Sequence, residues 1–468
     1  MTRPPSAQTL AAFAAIVGDK GVLTSEGDKE PYLQEWRGLW HGKTPVVLRP
    51  SSTQQVADIL KIANAAQCAI VPQSGNTGLV GGQTPNANGS EVALSLDRMT
   101  KIIAVDAAND TITVEAGATL KSVQDAAQAA NRMFPLSLAS EGTCRIGGNL
   151  SSNAGGLNVL AYGNARELCL GLEVVLADGR VLNTLNGLRK DNAGYDLRNI
   201  FIGAEGTLGI ITAATLKLFP QVKHHATAFA AVPSPETALQ LLSLAKQHSG
   251  NCLIAFELMA DLCIEFAVRH MRQVRPFQSP WHVLLELADA PAGQLEAILE
   301  TAMEQGLVTD AVLALNEQQR QSFWSLRESI SESQKPEGGS IKHDISVPVS
   351  QVPRFIAEAT PAVARFLPGC RFATFGHMGD GNLHFNVSQP IGMDKQAYLD
   401  KWHAMNDIVH GIAVGLGGSF SAEHGVGTLK VEDMRRYKSA VELDVMRGLK
   451  RLFDPNNILS PGRVVPDL

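Results

Sequence analysis

Three glycine-rich stretches constrain the fold of this 468-residue chain most strongly. They read PQSGNTGLVGGQTP (72–85), SEGTCRIGGNLSSNAGG (140–156) and AEGTLGIIT (204–212), and the first follows the apolar strand pattern CAIV. Glycine permits positive φ and close backbone approach, and consecutive N–H groups in such loops can form a nest for a pyrophosphate. For one stretch alone, a tight surface loop is an equally good interpretation. Three stretches in one region predict instead a long ligand that is lined by backbone.

Composition and charge narrow the class of protein. Hydrophobic residues make up 45% and charged residues 18% of the chain, which is typical of a globular protein with two or three domains. The net charge of −6 and the lack of a basic stripe argue against nucleic acid as a partner. No apolar run is long enough for a transmembrane segment, and the N-terminus MTRPPSAQTLAAF lacks the pattern of a secretory signal. A cytoplasmic location is therefore expected, with the six cysteines as reduced core thiols because no pair has CxxC spacing.

The hydrophobic pattern changes character after the third glycine-rich stretch. Before that point, short strand patterns such as TPVVLRP (44–50) alternate with helical patterns such as the one over 52–67. From about residue 222, long amphipathic helices dominate, with strands between them; they are predicted at 233–249, 292–306 and 316–334. We therefore expect an α+β nucleotide-binding domain followed by a second α+β domain.

Three common nucleotide and metal motifs are missing. No GxGxxG follows a strand, so a Rossmann dinucleotide site has no support. The GKT at 42–44 lacks the first glycine of an ATPase phosphate loop, since Arg37 stands there. No HExxH occurs, which excludes the familiar zinc-protease helix.

The long motifs resemble the FAD-binding domain of the vanillyl-alcohol oxidase and p-cresol methylhydroxylase (PCMH) flavoprotein superfamily. The resemblance is carried by PQSGNTGLVGG, GTCRIGGNLSSNAGG, KDNAGYDLRNIFIGAEGTLGIIT and the C-terminal ILSPGR, and it covers nearly the whole chain. Within the superfamily, the chain is similar to D-2-hydroxyacid dehydrogenases of the D-2-hydroxyglutarate and D-lactate type. The implied fold class is α+β, with a two-part PCMH-type FAD-binding domain, an α+β substrate (cap) domain and a C-terminal helical segment. The implied ranges are an N-terminal helical segment at 1–45, the FAD-binding domain at 46–221, the substrate- and metal-binding domain at 222–430 and a C-terminal segment returning to the flavin at 431–468.

The resemblance also implies which residues hold the FAD. The first stretch would cradle the pyrophosphate, the second would line the middle of the cofactor, and the third would hold its adenine and ribose. In that order, the residues are Pro72, Gln73, Ser74, Gly75, Asn76, Thr77, Gly78, Leu79, Glu141, Gly142, Ile146, Gly147, Asn153, Gly155, Glu205, Gly206, Ile210 and Ile211. Because the first stretch contains no histidine or cysteine, the FAD is predicted to be noncovalent. Ser460 replaces an asparagine that many relatives have in the tail, which weakens a role for a tail side chain at the flavin.

The stretch GHMGDGNLHFN (376–386) raises the question of a metal site. RFATFGH and LHFNV read as two strands, and the Asp-Gly turn between them predicts a hairpin that places His377 opposite His384. From the residues alone, a metal site and two structural histidines are equally good interpretations. The related dehydrogenases have a similar HxGDGNxHxN stretch and a Glu-His pair, which here is Glu423 and His424 after Ala422. The resemblance implies that His377, His384 and Glu423 bind a divalent metal, usually zinc, although iron(II), manganese or cobalt would also suit these ligands.

Substrate binding is predicted for a second group of polar residues. Arg327 and Ser331 are four residues apart on a predicted helix, and Lys342 begins the next strand. On their own, such charges are interpreted most simply as solvated surface groups. The resemblance implies that Arg327, Ser331 and Lys342 bind the distal carboxylate of a substrate. It also implies that Asn386 orients the C1 carboxylate of that substrate. His343, where relatives often have tyrosine, would alter the width of that pocket.

The resemblance implies oxidation of a D-2-hydroxy acid, most simply D-2-hydroxyglutarate, to a 2-oxoacid by hydride transfer to flavin N5. His424 would remove the hydroxyl proton, since histidine titrates near neutral pH; the alternative for His424 is a supporting role beside Glu423. The electron acceptor would be an electron-transfer flavoprotein, a quinone or a cytochrome, and a homodimer is compatible with the sequence. The alternatives are D-lactate or D-malate as substrate, a noncatalytic flavin subunit of a larger oxidase, and a metal hydrolase without flavin.

Overall fold

A computed structural model describes residues 2–467 of the chain. These residues form two compact units. The first unit comprises 2–155, 163–221 and 424–467, and the second comprises 156–162 and 222–423. The four domain ranges implied by the resemblance stay a prediction.

The strands range from two to eight residues in both units. In chain order they are β1 (Val22–Leu23), β2 (Val47–Leu48), β3 (Ile70–Gln73), β4 (Val92–Ser95), β5 (Ile102–Asp106), β6 (Thr111–Glu115), β7 (Arg132–Met133), β8 (Cys169–Val175), β9 (Val181–Asn183), β10 (Ile210–Lys217), β11 (Phe219–Pro220), β12 (His225–Val232), β13 (Leu253–Ala260), β14 (Trp281–Ala288), β15 (Asp310–Leu313), β16 (Ser340–Ile341), β17 (Asp344–Ser346), β18 (Arg371–Gly376) and β19 (Asn382–Ser388).

The helices range from four to seventeen residues, and the three longest belong to the second unit. In chain order the helices are α1 (Ala7–Val17), α2 (Glu26–Lys29), α3 (Thr53–Ala66), α4 (Leu120–Ala129), α5 (Ile146–Ser151), α6 (Val159–Tyr162), α7 (Ala165–Leu168), α8 (Arg198–Phe201), α9 (Pro235–Ser249), α10 (Asp261–Met271), α11 (Gln294–Glu304), α12 (Glu317–Ser333), α13 (Val352–Phe366), α14 (Lys395–Leu399), α15 (Trp402–Gly415), α16 (Val431–Tyr437) and α17 (Ala440–Phe453).

The first unit contains two main sheets, with strand orders β1-β2-β4-β3 and β5-β6-β10-β8-β9. In the first of these, β2 and β3 both run parallel to β4, and α3 connects β2 to β3. This helix begins after Ser52, whose hydroxyl accepts a hydrogen bond from the Gln55 N–H, and it buries Val56 and Leu60 on one face. The parallel strand β3 leads directly into the first glycine-rich stretch, which is therefore held at the end of a buried strand.

The second unit is built on one eight-stranded sheet of order β15-β12-β14-β13-β18-β19-β16, with β17 also paired to β19. Strand residues alternate between two apolar cores because successive side chains point to opposite faces. Helices α9, α11, α13 and α15 cover one face, and α10 and α12 cover the other. Glu257 and Glu286 lie on the face beneath α10 and α12, because they have the same parity as Met259 and Leu284 of that core.

The predicted elements near the candidate sites are present. The predicted helices at 52–67, 233–249, 292–306 and 316–334 correspond to α3, α9, α11 and α12. The predicted hairpin is formed by β18 and β19, but its register differs from the prediction. Phe375 pairs with His384, and His377 follows the end of β18, so the expected pairing of His377 with His384 is wrong. Within residues 2–467, no helix combines the length and apolar character that crossing a membrane requires. All six cysteines are free thiols.

Candidate functional site

The first and second glycine-rich stretches touch each other through backbone. A Cβ atom on Gly75 would lie 2.6 Å from the carbonyl oxygen of Thr143 and 2.8 Å from the Cα of Cys144. Only glycine allows that approach. Asn76 adopts a left-handed conformation with φ of 53°, and its Nδ2 donates to the carbonyl oxygens of Pro31 and Gln34. The first stretch is therefore held in a defined conformation by the rest of the first unit.

The third stretch packs against the strand that precedes the first one. A Cβ atom on Gly206 would lie 2.6 Å from Cγ of Pro72. The neighbouring Glu205 has φ of 50°, and its buried carboxylate accepts hydrogen bonds from the N–H groups of Val426 and Gly427, at 2.7 and 2.8 Å. Burial raises the pKa of Glu205, and these two N–H groups oppose the rise. The Glu205 side chain thus binds protein backbone, and its role on the adenine and ribose side of the FAD stays a prediction.

The remaining predicted FAD residues occupy the same three stretches. Pro72 and Gln73 end β3, the other residues of 72–79 form its following loop, and the second group lies in and around α5. Ser74 Oγ, Asn76 Oδ1 and Asn149 Nδ2 are buried polar atoms without a hydrogen-bond partner in the part of the chain that the structure describes. Unsatisfied buried polar atoms of this kind indicate a missing ligand or water. The donors and acceptors present therefore fit a polar cofactor along these loops.

The hairpin of β18 and β19 brings the two predicted histidine ligands together. Gly381 in the turn adopts φ of 89°, and a Cβ atom on Gly376 would lie 2.5 Å from the Asn382 carbonyl oxygen. These glycines allow the tight reversal that the Asp-Gly turn predicts. The rings of His377 and His384 have centroids 5.7 Å apart and are nearly perpendicular, at 79°.

Glu423 completes a group of three metal-binding side chains. Its N–H donates to the Asp344 carboxylate at 2.9 Å, and Asp344 pairs with His384 across β17 and β19. Glu423 Oε1 lies 3.7 Å from His377 Nε2, and Oε2 lies 3.9 Å from His384 Nε2. All three ligand atoms lie within 4.8 Å of one another. Ligands of a tetrahedral zinc, with bonds of about 2.0 Å, are separated by about 3.3 Å, so the donor set fits a divalent ion after a small contraction.

A buried carboxylate, that of Glu257, contacts one of these three side chains. Glu257 Oε1 lies 2.8 Å from His377 Nδ1, which leaves Nε2 of the ring directed at Glu423. Burial opposes the charge of His377, but Glu257 raises the pKa of His377 to about 9. Burial raises the pKa of Glu423 to about 8, and Asp344 adds to the rise. Both groups thus hold protons near neutral pH, and a divalent cation would displace them.

Arg327 belongs to the same cluster. Its side chain is 6% exposed, its Nε donates to Glu257 Oε2 at 2.8 Å, and its guanidinium lies 4.8 Å from the ring centroid of Phe375. Nη2 lies 2.7 Å from the same Glu257 oxygen, but its N–H bonds do not point at that oxygen, so no residue of 2–467 accepts from it. The interpretation of Arg327 as a solvated surface charge is excluded by its burial.

The other predicted substrate residues are placed differently. Ser331, one turn after Arg327, is exposed, and Lys342 is half-buried. Asn386 is buried and donates from Nδ2 to Gln334 Oε1 at 3.1 Å, so the amide that would orient a substrate carboxylate is already bonded to protein. His343 is buried, with Nδ1 2.8 Å from the Phe385 carbonyl oxygen, and therefore packs inside the second unit. His424 follows Glu423 directly, at the residue where the chain enters the first unit.

Comparison with known proteins places this site in a family. Residues 221–464 match the family described as FAD linked oxidases, C-terminal domain. Residues 44–185 match the family described as FAD binding domain. The chain belongs to the FAD-linked oxidases. The predicted FAD-binding domain is thereby confirmed, and the relatives and solved structures below confirm the class of flavin-dependent dehydrogenase and the α+β fold.

Curated relatives of this FAD-linked oxidase align over nearly its whole length. A probable mitochondrial D-2-hydroxyglutarate dehydrogenase of Oryza sativa subsp. japonica is 38% identical over 97% of this chain and 81% of its own. The mitochondrial D-2-hydroxyglutarate dehydrogenase of Bos taurus is 38% identical over 98% of this chain and 84% of its own. The D-2-hydroxyglutarate dehydrogenase of Xanthomonas citri pv. viticola is 36% identical over 95% of this chain and 94% of its own.

Solved structures support the same fold. The substrate-bound structure of p-cresol methylhydroxylase has a TM-score of 0.79 at 18% identity and covers 99% of this chain and 98% of its own. Alkyldihydroxyacetonephosphate synthase has a TM-score of 0.72 at 15% identity, over 98% of this chain and 86% of its own. At these identities the similarity concerns the fold alone.

Sequence reasoning missed two residues of this FAD-linked oxidase that contact the group of His377, His384 and Glu423. Asp344 holds the N–H of Glu423, and Glu257 contacts both His377 and Arg327. Glu257 has a signal in the sequence, since it is the single charged residue in the apolar strand LIAFELMA. A lone carboxylate on a buried strand requires partners, although the sequence does not say which.

Proposed function

We propose that this protein is a D-2-hydroxyglutarate dehydrogenase that requires FAD and a divalent metal and produces the 2-oxoacid. The observation that carries the proposal is the buried Arg327, whose Nη2 has no hydrogen-bond acceptor among residues 2–467, close to the group of His377, His384 and Glu423. A metal site suits the hydroxyl and C1 carboxylate of a 2-hydroxy acid, and a buried guanidinium suits a second carboxylate. The names of the rice, bovine and Xanthomonas relatives support the same substrate.

The side chains of the cluster have distinct roles in this proposal. Bound FAD would supply the acceptor for the hydride that leaves the substrate Cα. A divalent ion on His377, His384 and Glu423 would polarise the hydroxyl group and lower its pKa. Arg327 would bind the distal carboxylate, with Lys342 and Ser331 as further candidates on the same part of the second unit. His424 is the proposed base for the hydroxyl proton, and Asn386 is the proposed contact to the C1 carboxylate.

Several parts of the proposal rest on the sequence and the resemblance. The FAD is proposed to be noncovalent, and zinc is proposed as the metal. An electron-transfer flavoprotein, a quinone or a cytochrome is proposed as the electron acceptor. A cytoplasmic location is also proposed, although the names of the rice and bovine relatives include the word mitochondrial.

The proposal is tested by reduction of the flavin under anaerobic conditions. Purified protein is mixed with D- and L-2-hydroxyglutarate, D-malate and D-lactate, with and without a chelator, and the visible flavin absorption is followed. We expect rapid bleaching by D-2-hydroxyglutarate and its loss after chelation. Equal or faster bleaching by D-lactate would assign the protein to the D-lactate branch, and colourless protein would favour a metal hydrolase.

A further inference from the structure

One carboxylate connects the proposed metal ligands to the proposed substrate arginine. Glu257 lies on β13 and is 1% exposed. Its Oε1 contacts His377 Nδ1 at 2.8 Å, and its Oε2 contacts Arg327 Nε at 2.8 Å. No other acidic residue in the part of the chain that the structure describes is bonded to both groups.

We propose that Glu257 is a positioning residue that acts on both halves of the site at once. It keeps the proton of His377 on Nδ1, so that Nε2 can bind a metal, and it fixes the guanidinium of Arg327 through Nε, so that the N–H groups of Nη2 can bind a ligand. This inference rests on the proposed function and adds a residue to it. Carboxylate partners of this kind orient metal-binding histidines and make them more basic.

The two neighbours of Glu257 explain why a carboxylate is needed. In the metal-bound state, His377 Nδ1 and Arg327 Nε are both donors, and a carboxylate can accept on both oxygens. A glutamine offers one acceptor and one donor in the same volume. If its NH₂ group faced His377, the ring would have to accept at Nδ1, and its proton would move to Nε2, where the metal binds. If the NH₂ group faced Arg327, two donors would oppose each other.

Phe375 limits the movement of the arginine on its other side. The Arg327 guanidinium lies 4.8 Å from the Phe375 ring centroid, and the His384 ring lies 4.9 Å from that centroid. Arg327 is therefore held between Glu257 and an aromatic ring that also contacts a proposed metal ligand. Because Phe375 offers only a ring face, the guanidinium is oriented by its Nε–H hydrogen bond to Glu257.

The matched control is a second buried pair in the same sheet. Glu286 on β14 is 1% exposed and binds Arg320, which precedes Arg327 by seven residues on α12. The variants Glu257→Gln and Glu286→Gln therefore remove equivalent charges under the same helix. Both are compared with the wild type for flavin content, thermal midpoint and zinc affinity of the metal-stripped, FAD-loaded protein, with Zn²⁺ titrated by calorimetry.

We expect Glu257→Gln to weaken zinc binding by about tenfold to a hundredfold, and Glu286→Gln to leave it within about twofold of the wild type because Glu286 contacts no proposed ligand. At saturating Zn²⁺, the Glu257→Gln protein should still have a raised KM for D-2-hydroxyglutarate, since added metal does not restore Arg327. Unchanged zinc affinity in Glu257→Gln would overturn the inference. Full recovery of KM at saturating zinc would overturn the part that concerns Arg327.

A measurement on the wild type does not depend on whether the variant folds. In zinc-loaded protein labelled with ¹⁵N-histidine, and with His377→Ala used for assignment, the His377 signal should show a protonated Nδ1 and an unprotonated Nε2. An unprotonated Nδ1 would overturn the inference. Wild-type protein that binds no zinc would overturn the proposed metal site itself, which separates that failure from failure of the role of Glu257.

Discussion

Two arginines of helix α12 bind two glutamates of the same sheet, and the two pairs have different surroundings. Glu286 accepts from Arg320 Nε at 2.8 Å, from Thr227 Oγ1 at 2.6 Å and from Trp324 Nε1 at 2.8 Å, and it lies 3.1 Å from His225 Nδ1. Its two oxygens are thus fully used by the protein.

Glu257 has two partners, His377 and Arg327, and each of them has a nitrogen atom that Glu257 does not satisfy. His377 presents Nε2 towards Glu423, and Arg327 keeps Nη2 without an acceptor in the described chain. A buried ion pair whose groups are all satisfied serves the fold. A buried pair that leaves donors and acceptors directed at one space indicates a ligand. The comparison therefore separates a pair whose groups are satisfied by the protein from a pair that we propose to be functional, within a single helix–sheet layer.

The largest effect is expected for His384, one of the three proposed metal ligands. His384→Ala should lower D-2-hydroxyglutarate oxidation by more than about a thousandfold, because metal polarisation contributes several kcal/mol to the barrier. The protein should remain yellow, since His384 belongs to the second unit and the predicted FAD residues all belong to the first. His282→Asn, at a buried histidine of β14 that pairs with Asp261, is the control. Activity that survives in His384→Ala would remove the metal from the mechanism.

Substitution of Arg327 should affect mainly activity, and substitution of Arg320 should affect mainly stability. Arg327→Ala should lower kcat/KM for D-2-hydroxyglutarate by about a hundredfold, because a charge-assisted bond to a carboxylate contributes about 1.5 to 3 kcal/mol. Its effect on D-lactate should be smaller, since D-lactate has no distal carboxylate. Arg320→Ala should leave kcat/KM within about twofold and lower the thermal midpoint. Loss of the dicarboxylate preference in Arg320→Ala, or its retention in Arg327→Ala, would break the comparison.

Acid unfolding should report on the satisfied pair. Burial opposes ionisation of Glu286, but His225 and Arg320 lower the pKa of its carboxyl to about 2. The folded pKa lies below the unfolded value of about 4.3, so the stabilisation is complete above about pH 4.5 and is lost as the pH falls towards 2. It amounts to about 3 kcal/mol. Glu286→Gln should therefore reduce the pH dependence of the urea midpoint between pH 4.5 and 2.5, and an unchanged slope would contradict the assignment.

The smallest effect is expected at the ring beneath Arg327. Phe375→Leu should raise the KM for D-2-hydroxyglutarate by about fivefold, because a buried cation–π contact contributes about 1 kcal/mol. Phe372→Leu, on the opposite face of β18 where it packs against Phe385, is the control and should leave KM unchanged. Equal KM values in the two variants would show that the ring contributes packing only.

The sequence predicted the local parts of this arrangement. The Asp-Gly turn predicted the hairpin and the approach of the His377 and His384 rings, because only a few residues separate them. It did not predict the register, in which Phe375 pairs with His384. Helix α12 was expected at 316–334 and spans Glu317–Ser333. Spacing on that helix did not predict that Arg327 would be buried while Ser331, one turn later, would be exposed, since burial depends on what covers the helix. Likewise, the bond of Asn386 to Gln334 depends on a contact 52 residues away.

The sequence by itself determined the α+β fold, the three glycine-rich stretches and the membership of the FAD-linked oxidases, because these depend on local periodicity, backbone freedom and long motifs. The tertiary structure decided which groups meet. Glu423 reaches the histidines only because Asp344 on β17 holds its N–H, and Glu257 reaches His377 across 120 residues because β13 pairs with β18. Contacts at such separations are set by the order of strands in a sheet, which local patterns do not encode. The difference between the two arginines of α12, one bound to Glu286 and one to Glu257, was therefore visible only in the folded chain.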